Sequence, residues 1–168
     1  IQDRFSITSH SSIMSPGSQT QIHVLHVDDE PDFADLTATY LERENDRFTV
    51  ETATSANEGL ERINDGAPDC VVSDYNMPGM DGITFLTAVR EEFPDMPFIL
   101  FTGKGSEEVA SEAISAGVTG YLQKESGTEQ YAVLANRITN AVAQTRAEHQ
   151  LEQERRRSQV LFERLTQP

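Results

Sequence analysis

The stretch DCVVSDYNMPGMDG, residues 69–82, decides how the rest of the chain reads. Cys70, Val71 and Val72 form a short unbroken apolar run, as a strand covered on both faces does. The run ends in an acid, Asp74, and the chain then turns at Met77-Pro78-Gly79. A carboxylate just past a buried strand either opens a loop or is a reactive group held at a strand tip.

Working outward, strand-like and helix-like patterns alternate from residue 22. IHVLHV (22–27), FTVETA (48–53), DCVVS (69–73), PFILF (97–101) and TGYLQ (119–123) read as strands. PDFADLTATYLERE (31–44) reads as a helix with Pro31 in its first turn and Phe33, Leu36, Tyr40 and Leu41 on one face. Residues 55–65 form a helix capped by Ser55, 83–93 one that stops before Pro94, and 106–116 one between Ser106 and Gly117. A last helix begins near Ser126. This alternation predicts an α/β fold with a parallel sheet covered on both faces. Right-handed crossovers leave few topologies, and ligands in such folds sit beyond the carboxyl ends of the strands.

Those strand ends carry a biased set of residues. The first strand runs into Asp28-Asp29-Glu30, the third ends at Asp74, the fourth at Thr102-Gly103-Lys104 and the fifth at Lys124. Parallel strands bring these groups to one edge of the sheet, and Lys104 and Lys124 are the only two lysines in the chain. Carboxylates a few ångströms apart cannot all stay ionised without a counter-charge. Mg²⁺ relieves this, taking one or two carboxylates and leaving room for phosphate oxygens. A carboxylate attacking a phosphoryl group gives an acyl phosphate, and cations and donors must then face the transferring oxygens. Glu30 reads as a solvated first-turn acid. His23 and His26, three apart on a strand, do not share a face and read as structural, not as a zinc site.

HVDDE (26–30), SDYNMPGMDG (73–82), FTGKG (101–105) and GYLQK (120–124) together resemble the receiver domain of two-component response regulators. The resemblance covers residues 22 to about 143 and implies a flavodoxin-like, doubly wound five-stranded parallel sheet in order 2-1-3-4-5. It implies that Asp74 accepts a phosphoryl group from a histidine kinase. Asp28 and Asp29, with Asp74 and the backbone carbonyl of Asn76, would hold Mg²⁺, Asp28 partly through water. Lys124 would pair with the phosphoryl oxygens, and Thr102 and Tyr121 would switch on phosphorylation. The signal would leave through the face of the fourth helix, fifth strand and fifth helix. Such a domain catalyses its own phosphorylation and slow hydrolysis but is not an enzyme acting on external substrates.

Two features depart from the family. Glu125 follows Lys124 where proline is usual, often after a cis bond; a cis bond without proline costs roughly 2.5–4 kcal/mol. Lys104, two residues after Thr102, is expected to contact the phosphoryl group or Asn76 and slow self-dephosphorylation. A haloacid-dehalogenase-type phosphatase is the alternative reading, but it wants an Asp-x-Asp pair after the first strand. A receiver-like interaction module that is never phosphorylated is another.

Formal net charge is −15, which disfavours direct binding of nucleic acid or an anionic membrane. Such acidity with so little lysine suits a salt-loving organism, such as a halophilic archaeon. No apolar run approaches the roughly 20 residues that cross a bilayer. Cys70 is the single cysteine, so no internal disulfide forms and a cytoplasmic setting is expected. Residues 1–21 read as a flexible leader. Residues 144–168 read as a helical linker with no Gly and no Pro before the final Pro168. Ala147, Leu151, Leu161 and Leu165 fit a heptad seam that Glu154 and Ser158 interrupt, a weak coiled-coil pattern that would support a homodimer. Arg155-Arg156-Arg157 reads as a solvated helix face. The chain does not begin with Met and reads as a piece of something longer.

Overall fold

Each strand of the core alternates its side chains between two apolar clusters, one on either side of a single sheet. The computed structural model describes residues 21–103, 105 and 107–167. The elements run β1 (Ile22–Val27), α1 (Pro31–Glu44), β2 (Phe48–Ala53), α2 (Ala56–Asp65), β3 (Cys70–Ser73), α3 (Gly82–Glu92), β4 (Phe98–Thr102), α4 (Glu107–Ser115), β5 (Gly120–Gln123) and α5 (Glu129–Thr166). All strand pairs are parallel and the order is β2-β1-β3-β4-β5. This is the covered parallel sheet expected from the alternation of patterns, in the doubly wound strand order that the resemblance to receiver domains implies.

One cluster gathers Leu25, Val27, Val71, Phe98 and Leu100 from the sheet with Ile63, Phe85, Leu86, Val89 and Ala113 from α2, α3 and α4. The other gathers Val24, Cys70, Val72, Ile99 and Phe101 with Leu41 of α1 and Tyr131, Leu134, Ile138 and Val142 of α5. Successive strand residues therefore face opposite layers, which is why β3 and β4 are apolar throughout.

The structure corrects two local expectations. Leu36 is 46% exposed, whereas Ala34, Thr37 and Leu41 face the core. Small side chains at 34 and 37 let α1 approach the sheet, and the larger Leu36 turns outward. The last helix starts at Glu129, not near Ser126. Residues 124–128 make a loop instead, with Gly127 at φ +102 and the Gln130 amide bridging it: its Oε1 accepts from Glu125 N and its Nε2 donates to Gly127 O.

α5 runs 38 residues as one helix, and its last buried residue is Val142. Beyond it, Leu151, Leu161, Phe162 and Leu165 are exposed. Arg146 pairs with Asp69 at 3.3 Å and His149 lies 3.5 Å from Asp95, tying the root of this extension to the domain. The expected leader falls on residues outside those described, apart from Gln21. Among the described residues, no helix is long and apolar enough to cross a membrane.

Candidate functional site

The carboxyl ends of β1, β3, β4 and β5 meet on one edge, each delivering a polar side chain that its strand fixes in place. Asp28 follows β1 and is fully buried. Its backbone N–H donates to Ala53 O, continuing the sheet, and its Oδ1 accepts from Glu30 N at 3.0 Å, which starts the turn into α1. Asp74 follows β3 and is 8% exposed; its N–H donates to Val27 O and its Oδ1 accepts from Tyr75 N at 2.8 Å. Lys124 follows β5, where its N–H donates to Thr102 O at 2.8 Å.

The three segments converge. Lys124 Nζ lies 2.7 Å from Asp28 Oδ2 and 3.5 Å from Asp74 Oδ2. Asp28, Asp29 and Asp74 each offer a carboxylate oxygen within 4.8 Å of the others. Three hard oxygen donors on that span fit a small divalent cation with open positions left over. Burial pushes the Asp74 carboxyl above its ordinary pKa; nearby Lys124 opposes that push and Asp28 adds to it. One ammonium thus pairs with two of the three clustered carboxylates, leaving a surplus of negative charge that a cation would neutralise.

The hydroxyls of Thr102 and Tyr121 flank the cluster on β4 and β5. Both oxygens are buried without a hydrogen-bond partner among the described residues. An unpaired buried hydroxyl costs free energy, so each is suited to a partner that arrives later. The Tyr121 hydroxyl packs against Gly105, where a Cβ would collide with it, and burial raises the phenol pKa. Asn76 lies exposed two residues beyond Asp74. Lys104 lies outside the described residues.

The loop after Asp74 is shaped as its composition suggests. Gly79 has φ +84, which favours glycine. Asp81 caps α3 by accepting from Thr84 N, and Gly82 packs so closely on the backbone of Asp74 and Tyr75 that a Cβ would collide. No cis peptide bond occurs among the described residues, so the chain passes from Lys124 to Glu125 in trans.

Sequence reasoning treated His26 and Phe33 only as structural or core residues. His26 is fully buried with neither ring nitrogen hydrogen-bonded, and burial pushes its pKa down to about 4, against the opposing pull of Asp28. It is neutral at pH 7 and packs edge-on against Phe33. Phe33 in turn places its ring 4.2 Å from Lys124 Nζ. No signal in the sequence announced that contact.

Fold and geometry together define a doubly wound α/β protein with an acidic strand-tip site. A sequence profile of the response regulator receiver domain matches residues 24–136. The chain belongs to that family. It is 30% identical over 132 residues to the nitrogen assimilation regulatory protein NtrX of Azorhizobium caulinodans, covering 77% of this chain and 29% of the relative. It is 31% identical over 144 residues to the response regulator SaeR of Staphylococcus aureus, covering 86% and 59%. Among solved structures, the receiver domain protein of Clostridium thermocellum aligns with a TM-score of 0.67 at 28% identity, covering 75% of this chain and 98% of that one. The chemotaxis protein CheY4 of Vibrio cholerae aligns at 0.65 with 30% identity, covering 70% and 98%. The chain therefore spans under a third of its NtrX relative and nearly the whole of the single-domain structures.

Proposed function

We propose that Asp74 is the phospho-acceptor of this receiver domain, taking a phosphoryl group from a histidine kinase. The observation that carries the reading is the convergence of Asp28, Asp29 and Asp74 within 4.8 Å, with Lys124 Nζ 2.7 Å from Asp28 and 3.5 Å from Asp74. In the transfer, an Asp74 carboxylate oxygen forms the new P–O bond as the P–N bond of the donor phosphohistidine breaks. The released imidazole nitrogen retains its electron pair and picks up a proton. Hydrolysis undoes the transfer: a water oxygen bonds to phosphorus as the P–O bond to Asp74 breaks, giving inorganic phosphate, the regenerated carboxylate and a proton.

Asp28, Asp29 and Asp74 would hold Mg²⁺, with Asn76 offering its carbonyl. When bound, the ion supplies charge neutralisation for the phosphoryl oxygens. Lys124 leaves the Asp74 side of its ion pairs to meet a phosphoryl oxygen. Thr102 donates its unpaired hydroxyl to another, and the space this opens draws Tyr121 inward. Movement at Thr102 and Tyr121 alters the surface of α4, β5 and α5, which is the output face. The domain turns over no external substrate and works in the cytoplasm.

The dehalogenase-type phosphatase reading is not favoured, because the chain belongs to the receiver family and its isolated acid follows the third strand. The apolar side chains exposed along the α5 extension fit a homodimer, which a solution mass would detect. The deciding experiment for the main reading is incubation with acetyl phosphate and Mg²⁺ followed by intact mass. One phosphoryl group on the wild type and none on Asp74→Asn is the expected result. An unmodified wild type, or a modified Asp74→Asn, would overturn it.

A further inference from the structure

We infer that Phe33 is a positioning residue for the phosphoryl-transfer chemistry, its ring face holding the Lys124 ammonium between Asp28 and Asp74. The inference rests on the phospho-acceptor reading and extends it to a side chain on α1, ninety-one positions away from Lys124.

Lys124 reaches the site on a flexible four-carbon stem, and its ion pairs alone do not fix where the ammonium sits. Asp28 holds it at 2.7 Å, but Asp74 lies 3.5 Å away, too far for a tight bond. The third side is closed by the Phe33 ring, with its centroid 4.2 Å from Nζ. A cation above an aromatic face is attracted by the negative face of the ring, more strongly where water is excluded. Here the lysine side chain is only 16% exposed. Phe33 is itself braced, because Phe101 packs against it at 6.1 Å between centroids and His26 meets it edge-on at 6.4 Å. Phe101 also stands 5.9 Å from Nζ, so two rings line the apolar side of the ammonium.

This arrangement has a chemical use. The ring adds attraction without forming a hydrogen bond of its own. The ammonium can therefore keep its bond to Asp28 and give up only the longer contact with Asp74 as it turns toward an arriving phosphoryl oxygen. Removing the ring leaves the charge on the lysine but loosens its position, and a misplaced cation stabilises the transferring oxygens less well.

The test uses the full chain, uniformly labelled at lysine with ¹³C. Only Lys104 and Lys124 then give ε-methylene signals, and Lys104→Arg tells them apart. The ring current of Phe33 should displace the Lys124 ε-methylene protons upfield in the wild type and in Phe33→Tyr. In Phe33→Leu the signal should return to the ordinary lysine position. Labelling by acetyl phosphate with Mg²⁺ should slow about threefold to tenfold in Phe33→Leu and recover in Phe33→Tyr. Trifluorophenylalanine at position 33 keeps the ring's shape while draining its face of negative charge, so it tests the same idea if Phe33→Leu does not fold; it should slow labelling too. An undisplaced Lys124 signal in the wild type overturns the inference. So does a folded Phe33→Leu, or the fluorinated variant, reacting at the wild-type rate. A wild type that shows the displaced signal but takes no phosphoryl group sinks the phospho-acceptor reading, and the positioning role with it, while leaving the contact itself established.

Discussion

The two ends of the sheet use charge in opposite ways. At the amino end, Arg90 donates to the carbonyls of Gly117, Phe93 and Met96 and to the Thr119 hydroxyl. Asp69 accepts from His23 N and pairs with Arg146. These charges close the accounts of loop backbone groups. At the carboxyl end, three carboxylates cluster and two of them share one ammonium, while the hydroxyls of Thr102 and Tyr121 have no hydrogen-bond partner among the described residues. One end is satisfied as folded; the other leaves polar groups without partners among the described residues. A charged cluster that leaves its groups unsatisfied is thus the better guide to chemistry than one that is merely dense.

The largest effect expected from this contrast is on phosphoryl uptake. Asp74→Asn abolishes it, read by intact mass after acetyl phosphate, whereas Arg90→Ala leaves it unchanged. Stability inverts the ranking. Arg90→Ala strips partners from partly buried carbonyls and should cost about 1–3 kcal/mol in urea unfolding. Asp74→Asn should instead raise Tm when Mg²⁺ is absent. Folding raises the Asp74 pKa, so its contribution to stability is present below the ordinary carboxylate range and lost as pH rises through the raised value. At neutral pH the ionised group is therefore a burden; its removal should lift Tm by about 2–4 °C for each kcal/mol relieved. The gain should vanish at low pH, and Mg²⁺ should raise the Tm of the wild type more than that of the variant. The smallest effect belongs to the extension. Deleting residues 151–168, of which 151–167 are all exposed, should change unfolding by less than about 1 kcal/mol while removing any dimer seen in solution.

Much of this was legible in the sequence, for identifiable reasons. The alternation of short apolar runs with amphipathic stretches forces a covered parallel sheet, and parallel strands carry whatever follows them to one edge. Asp28, Asp74, Thr102 and Lys124 were readable because each immediately follows or ends such a run. Leu36 was misread because size and hydropathy suggested a core position, while the close approach of α1 to the sheet selected Ala34 and Thr37. The start of α5 falls three residues later than expected because Gly127 and the Gln130 side chain hold the loop open as far as Thr128. Phe33 looked like one more apolar residue of a helix. Its place above Lys124 depends on how α1 packs across β1 and on the length of β5, which no local pattern encodes.

The unbroken length of α5 has a mechanical consequence. From Val142 to Thr166 the helix projects 24 residues past its last buried side chain, or about 36 Å at 1.5 Å per residue. Its root, at Tyr131, Leu134 and Ile138, is clamped in the layer beside β4. The projection is a lever arm with its fulcrum in the core. A tilt of about 5° at that fulcrum sweeps the far tip through about 3 Å, enough to shift which neighbour a side chain there meets.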